Sequence, residues 1–403
     1  MSDSELRALL SPAGMELLDS LPEWTAHSDA LRSVSRLRAA GHSPELVAAV
    51  LSQARLRSKA RRKFGEFAAR MLFTEAGLEQ ASRLRVAANH AARLRASGVE
   101  GVVDLGCGIG GDALAFAAAG LPVIAVEADE ATAALAAHNL APFPEVEVRH
   151  GMAEQIEIPS GWAVWADPAR RAVDRFGQSK RLGRASDYTP SVEWLLGLAD
   201  THPLGLKLGP ASDRELIPSG FEAQWVEVDG DVVELCLWGG GVERPGIARA
   251  ALVLDAEGAT ELTAEADLPQ LEPGALGQVL YDPSGAVIRA RLLPLLAAEL
   301  DAHTVSPGIA YLSGTTVQQS RFASTFTIEA VLSADERSLK RELASRDIGR
   351  LEIKKRGMDV DPAILRKRLQ LRGSAEATLI MTRVAGAHTA LLAHRRSTVD
   401  PLD

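Results

Sequence analysis

The stretch that most constrains what this chain can become is Val102-Val103-Asp104-Leu105-Gly106-Cys107-Gly108-Ile109-Gly110-Gly111-Asp112. Two β-branched residues run into an acid, a glycine-rich turn follows, and an apolar run from Ala113 to Ala119 continues with helical character. That order predicts a strand, a tight turn and a helix start, the opening unit of a layered α/β fold. Glycines there let backbone approach a ligand closely, and the free N–H groups at a helix start favour polar or anionic groups. Two spacings fit. Gly106, Gly108 and Gly111 satisfy the dinucleotide pattern GxGxxG, a weak signal alone. Asp104, Gly106, Gly108 and Gly110 satisfy a second pattern in which an acid stands two residues before the first glycine.

Asp104 separates the two. A carboxylate at the strand end would crowd a pyrophosphate with like charge but suits a cationic amino group. The second pattern resembles motif I of class I S-adenosylmethionine (SAM)-dependent methyltransferases, whose cofactor carries such an amino-acid tail. The resemblance places the cofactor on Asp104, Gly106, Cys107, Gly108, Gly110 and Asp112. The next strand, Leu121 to Val126, ends in Glu127, and an acid there can accept both ribose hydroxyls. Glu127 and the adjoining Ala128 therefore support a ribose-bearing cofactor without choosing between SAM and NAD. The third strand, Val146 to Arg149, leads to His150-Gly151-Met152-Ala153-Glu154, which borders the adenine in the resemblance. Met152 and Ala153 would supply backbone and apolar contact. Many family members carry an Asp where Met152 stands.

A fourth strand, Ala163 to Ala166, runs into Asp167-Pro168-Ala169-Arg170-Arg171. Ligands of open α/β sheets sit beyond the carboxyl ends of the strands, so Asp167 falls near the reacting methyl group. Pro168 fixes φ and stiffens the turn. Arg170 and Arg171 offer bidentate hydrogen bonds to a phosphate. Asp167, Pro168 and Arg170 are the catalytic candidates, with Asp167 also touching the cofactor. The polar, basic stretch Ala172 to Asp187 reads as a substrate loop.

Length and composition set the frame. At 403 residues, two or three domains with sizeable cores are expected. No apolar run approaches the roughly 20 residues that span a bilayer. Met1-Ser2-Asp3-Ser4-Glu5 lacks a basic region followed by an apolar core, so no signal peptide is expected. The two cysteines, Cys107 and Cys236, stand in unrelated contexts, which suggests a reducing cytoplasm. A net charge of -9 argues against wholesale nucleic-acid affinity and leaves local patches open.

Residues 1–98 read as an N-terminal helical domain, with Ser43-Pro44 as a helix start. Its basic run Arg55, Arg57, Lys59, Arg61, Arg62 and Lys63 is either a solvated face or a phosphate-contacting surface. Glu79 and Gln80, just before the glycine motif, are secondary candidates for lining the site. Residues 99–240 alternate strand and helix, and Asp229-Gly230 signals a hairpin. Residues 241–321 form a connecting module with a helix from Val287 to Leu300. Residues 322–403 read as a small α/β unit whose bases gather at Lys354, Lys355 and Arg356 and at Arg366, Lys367, Arg368 and Arg372.

Taken whole, the chain resembles bacterial class I SAM-dependent methyltransferases with a C-terminal THUMP-like domain. The resemblance rests on Asp104–Asp112, on Asp167-Pro168-Ala169-Arg170, on Leu78-Glu79-Gln80-Ala81, on Asp282-Pro283 before a helix, and on Ile353-Lys354-Lys355-Arg356-Gly357. It implies a Rossmann-like sheet flanked by the helical and THUMP-like domains, SAM as cofactor, and RNA (tRNA or rRNA) as substrate. Arg170, Arg171, Lys354, Lys355 and Arg356 would contact that RNA. Methylation of pyrimidine C5 normally needs a cysteine nucleophile, and both cysteines are committed elsewhere, so a ring nitrogen, exocyclic nitrogen or oxygen is expected instead. The Asn-Pro-Pro-aromatic tetrad associated with exocyclic amine methylation is absent. No Cys/His spacing for a metal, Walker lysine or serine elbow stands out. A small-molecule methyltransferase, a non-catalytic RNA-binding protein on a relic fold, and, last, an NAD oxidoreductase remain alternatives.

Overall fold

Local helix-start chemistry organises the first part of the chain. In the computed structural model, which describes residues 3–22, 24, 28–170 and 188–396, the helices α1 (Asp3–Leu10), α2 (Pro12–Asp19), α3 (Ser28–Ala39) and α4 (Pro44–Phe64) come first. Ser11 and Ser43 cap α2 and α4 by accepting from Gly14 N and Leu46 N, each with proline at the first helical position. The short α5 (Glu75–Gln80) is capped by Thr74, and α6 (Leu84–Ala96) leads to the sheet.

There β1 (Val102–Leu105), α7 (Gly111–Ala118), β2 (Val123–Glu127), α8 (Glu130–Leu140), β3 (Val146–His150), β4 (Ala163–Ala166), β5 (Ala169–Arg170), β6 (Tyr188–Thr189), α9 (Val192–Gly197) and β7 (Leu204–Leu208) follow in order. Strands β7, β4, β1, β2 and β3 lie side by side in that order, all parallel. Chain order reverses between β1 and β4, so the crevice at their carboxyl ends is the switch point where such sheets bind ligands. The register sets Leu105 beside Ala166 and Asp104 beside Trp165. Every residue of β1 and β4 is buried, as central strands covered on both faces must be.

These elements belong to one compact unit, Met1–Phe221 with Cys236–Glu243. Its core joins Leu56, Ala60 and Phe64 of α4 to Ala87 and Leu94 of α6, Leu114 and Phe116 of α7, and Val102, Val123 and Trp165 of the sheet. Gly205 is required at its place, because a Cβ there would stand 2.6 Å from the Trp165 ring. The irregular segment Met71–Phe73 is fully buried; Arg57 Nε donates to Met71 O at 2.9 Å, and two side-chain amides satisfy the backbone of Leu72 and Phe73. Gln53 donates to Phe73 O at 2.7 Å and accepts from Phe73 N at 2.9 Å. Asn139 accepts from Leu72 N at 2.7 Å and donates to Leu72 O and to Ile109 O of the glycine turn.

The second unit is Glu222–Leu235 with Arg244–Asp403. In it β8 (Glu222–Val228) turns into the first part of β9 (Asp231–Gly239), whose residues from Cys236 on are counted with the first unit, through Asp229 and Gly230, at φ 51° and 88°, the two left-handed positions of a type I′ hairpin. Strand β10 (Arg249–Asp255) runs parallel to β8 and antiparallel to β11 (Gly258–Ala264). Strand β12 (Val279–Pro283) precedes α10 (Gly285–Arg289) and α11 (Leu293–Glu299). The single helix expected over Val287–Leu300 is thus divided. Arg291 takes φ 59°, and Pro294 in the first turn of α11 cannot donate back to a preceding turn.

Then come β13 (His303–Thr304), β14 (Leu312–Gly314), β15 (Ala323–Ser333), α12 (Glu336–Ser345), β16 (Ile348–Lys355), α13 (Pro362–Leu369), β17 (Ala375–Val384) and β18 (Ala387–Arg395). The seven strands are ordered β13-β14-β12-β15-β18-β17-β16, antiparallel except for the parallel β16–β17 pair that α13 connects. Leu339 and Leu343 of α12 and Leu365 and Leu369 of α13 pack on one face, against Leu379, Met381 and Leu392. Among the described residues, no helix is long and apolar enough to cross a membrane.

Because Asn139 holds three buried backbone groups, replacing it with Ala leaves all three without that partner. We expect Asn139→Ala to lower stability by about 2–4 kcal/mol in urea unfolding; a loss below about 1 kcal/mol would show that solvent replaces the amide.

Candidate active site

The glycine turn after β1 has the shape its composition demands. Gly106, Gly108 and Gly110 take φ of 81°, 55° and 83°, which side chains rarely adopt. The N–H groups of Gly106 and Cys107 both reach Val126 O at 2.9 Å, tying the turn to β2. Among the described residues, none but its chain neighbours comes within 4 Å of where a Cβ on Gly108 would stand, so backbone faces open space there. Gly110 caps α7 without any side-chain hydrogen bond. Glu127, half-buried at the end of β2, accepts from Gly108 N at 3.0 Å through Oε2 and from Asp129 N at 2.9 Å through Oε1. Each carboxylate oxygen has a second lone pair, so ribose-type hydroxyls are still accommodated.

Asp104 is 2% exposed, and its Oδ2 has no hydrogen-bond partner among the described residues. Burial, then the neighbouring carboxylates Asp112 and Asp167, pushes its carboxyl well above the usual range, against the pull of Lys207. A buried carboxylate oxygen left unsatisfied at the carboxyl edge of a parallel sheet fits a cationic ligand group. Asp112 shares the burial but not the shift. It accepts from Ser82 Oγ at 2.9 Å and faces His90 Nδ1 at 3.4 Å, and these contacts with Lys207 nearby hold it below the usual value despite desolvation. Cys107 is buried and its thiol is raised by desolvation, which disfavours a nucleophilic thiolate.

The other expected residues fall around the same edge. Asp167 follows β4 directly, half-buried, and Pro168 behind it is buried. Met152 is 43% exposed, Ala153 is buried, and Ala128 is exposed with its carbonyl 3.1 Å from His150 Nε2. The backbone of Arg170 pairs with Tyr188. The Arg170 side chain, Arg171 and the expected substrate loop Ala172–Asp187 lie outside the described residues. Glu79 is exposed and bonded to Lys59, not turned into the site.

The basic run of α4 is more committed than its sequence suggests. Arg55 pairs with Glu75, Arg57 with Asp19 at 2.9 Å, and Lys59 with Glu79 at 3.3 Å. Lys63 donates to the carbonyls of Leu78, Glu79 and Ala81 at 2.7–2.8 Å, closing the end of α5. Burial, then the charges of Lys207 and Arg83, lowers its ammonium to about 8. In the second unit, Lys354 and Arg356 both turn onto Asp282 at 2.7 Å, leaving Lys355 as the exposed member of that trio.

Sequence reasoning missed Lys207. Parallel pairing sets Ala166 beside Leu206, and one step on, Lys207 Nζ donates to Asp167 Oδ2 at 2.5 Å. The signal was present: one lysine in the otherwise apolar strand Leu204–Leu208. Ser82 and His90 carried no comparable mark.

Known proteins resemble this chain in sequence and fold. Residues 323–395, which run from β15 to the end of β18, match the THUMP domain-like family, and residues 3–60 match a domain of unknown function (DUF8688). Proteins from two strains of Mycobacterium tuberculosis, named as S-adenosylmethionine-dependent methyltransferases, are 33% identical over 359 residues, covering 87% of this chain and 95% of theirs. A Porphyromonas gingivalis protein crystallised as an assigned methyltransferase aligns with a TM-score of 0.73 over 98% of this chain and 99% of that one, at 20% identity, a likeness of fold. The chain belongs to the S-adenosylmethionine-dependent methyltransferases and carries a C-terminal THUMP-like domain. It is a methyltransferase, and its cofactor is SAM.

The raised Asp104 carboxyl has a stability consequence. Between a free aspartate's value and its own raised one, the folded chain holds a proton there that the unfolded chain releases, so stability falls as pH rises through that window. Asp104→Asn removes that loss. Without cofactor, the variant should melt above the wild type at pH 8 and converge with it toward pH 4 in calorimetry. A variant less stable at pH 8 would mean that Asp104 is ionised and partnered.

Proposed function

We propose that this chain methylates a ring nitrogen, exocyclic nitrogen or oxygen of RNA, tRNA or rRNA, in the cytoplasm. The observation that carries the RNA part is a THUMP domain-like unit on the same chain as the methyltransferase motif. THUMP domains bind RNA, and the outer faces of the two helices on this one support that use. Arg337, Lys340 and Arg341 of α12 and Arg366, Lys367 and Arg368 of α13 are exposed, with Arg372 beyond. Basic side chains grouped on one face are the electrostatic footprint of phosphate binding. Lys355 joins them, whereas Lys354 and Arg356 serve the fold through Asp282.

In this reading residues 99–240 hold the catalytic part, 1–98 the helices before it, 241–321 a connection and 322–403 the RNA-binding part. Asp104 meets the amino-acid end of SAM, the turn Gly106–Gly110 with Cys107 gives it backbone, and Glu127 with Ala128 takes the ribose. Met152 and Ala153 border the adenine. Asp112 supports the turn from behind, since its oxygens already have Ser82 and His90. Bound SAM supplies a methyl group activated by its sulfonium. Asp167 orients the accepting nitrogen or oxygen and takes its proton, Pro168 holds that carboxylate in place, and Arg170 and Arg171 meet a flanking phosphate.

Three measurements test this. Mass spectrometry of nucleosides from cells with and without the gene should show one methylated nucleoside lost, and unchanged nucleosides would remove RNA as the substrate. Asp167→Ala should lower turnover by about 10²–10⁴-fold while SAM still binds in calorimetry. Asp104→Asn should do the reverse and weaken SAM binding roughly ten- to a hundredfold, the loss of one charge-assisted hydrogen bond.

A further inference from the structure

Behind Asp167 a line of buried polar side chains crosses the first unit. Lys207 Nζ on β7 donates to Asp167 Oδ2 at 2.5 Å and to Ser82 Oγ at 3.0 Å. Ser82, in the turn before α6, donates to Asp112 Oδ2 at the start of α7. Asp112 Oδ1 faces His90 Nδ1 on α6, and His90 Nε2 lies 3.4 Å from Cys236 Sγ. Six residues from separate segments are thereby joined, and all but Asp167 are nearly removed from solvent. The lysine side chain is 11% exposed and the Asp167 side chain 36%, so the cation sits behind and the carboxylate is presented to the crevice.

We propose that Lys207 is a positioning residue for methyl transfer, holding Asp167 as an oriented carboxylate, and that Ser82 and Asp112 in turn hold Lys207. The proposal rests on Asp167 meeting the acceptor.

The charges around the pair explain why a lysine is needed there. Asp167 is faced by Lys207 from β7 and by Asp104 from β1. Lys207 is faced by Asp112 from α7, Asp104 from β1 and the Lys63 ammonium from α4. Glu127 adds negative charge from β2 and Arg83 positive charge near Lys63. Carboxylates crowded in low dielectric cannot all ionise unless cations face them. Asp112 is held by Ser82 and His90 as well, and the Lys207 ammonium, 2.5 Å from Asp167, favours the ionised form of that carboxylate. A carboxylate so held accepts an N–H or O–H proton from the acceptor as the acceptor's lone pair forms the bond to the methyl carbon and the carbon–sulfur bond of the sulfonium breaks, its electron pair returning to sulfur. The protonated carboxyl then returns that proton to water, and Lys207 stays an ammonium throughout. His90 and Cys236 continue the line into the core, where His90 braces Asp112.

The test reads Asp167 directly. In full-length protein labelled with [γ-¹³C]aspartate, the Asp167 carboxyl signal, assigned by its loss in Asp167→Asn, is titrated without substrate. Lys207→Met should move its midpoint upward by about one to three pH units. Lys207→Arg should restore it, and SAM affinity in calorimetry should change by less than about threefold. Methyl transfer from tritiated SAM to total RNA of a gene-deleted strain should show the acid limb of the turnover profile moving by the same amount. A lysine that only supports the fold would lower the melting temperature and leave both midpoints in place, which overturns the proposal. Should Lys207→Met fail to fold, Lys207→Gln keeps a donor without the charge and must show the same upward shift. The two readings separate cleanly. If wild type labels no RNA, the RNA assignment fails while the carbon titration still decides the role of Lys207.

Discussion

The structure depends on how acidic groups are accommodated at the carboxyl edge of one parallel sheet. Asp104, Asp112 and Asp167 gather where β1, α7 and β4 meet, the first two with little water to solvate them and the third half-buried. Desolvation penalises each charge, and the fold answers differently for each. Asp112 is enclosed by donors, Asp167 is tied to an ammonium, and Asp104 is left without a partner for Oδ2. That asymmetry underlies the separate roles we propose for three similar side chains: a brace, a proton acceptor and a ligand-binding acid.

The N-terminal helices make this possible rather than adding a separate module. Helix α4 supplies Phe64 to the core beneath the glycine turn and Lys63 to the carbonyls after α5. Its Gln53, with Asn139 of α8, satisfies the buried segment Met71–Phe73, and Asn139 continues to Ile109 O within the turn. Buried irregular backbone is expensive unless such amides pair with it. The turn is therefore held from beneath by contacts that come from residues distant in sequence. The aromatic cluster of Trp165, Trp238, Phe116 and His90, with Arg93 4.4 Å over the Trp238 ring, fixes α6 and with it one end of the polar line behind Asp167.

In the THUMP-like part, the basic clusters that look alike in sequence separate by role. Lys354 and Arg356, two residues apart on a strand end, point the same way and share Asp282, with Arg356 also over the Tyr311 ring. Lys355 between them points outward. The helices α12 and α13 bury Leu339, Leu343, Leu365 and Leu369, and so must turn their lysines and arginines to solvent. A count of charges could not have told the two groups apart.

Much was legible in the sequence because it is local. The strand, turn and helix around Asp104, the parallel alternation up to Leu208, the proline-led helix starts and the Asp229-Gly230 turn each follow from backbone preferences within a few residues. The acids at the ends of β1, β2 and β4 could be placed because strand ends in this topology converge. Other features depend on chain segments far apart meeting in space. The pairing of Lys207 with Asp167, the satisfaction of Asp112 by Ser82 and His90, the neutralisation of the α4 bases by Asp19, Glu75 and Glu79, and the break at Arg291 belong here. Local propensity settles which elements form. Which charge faces which is settled only once burial has removed water and left each ionised group to find a partner among its neighbours in three dimensions.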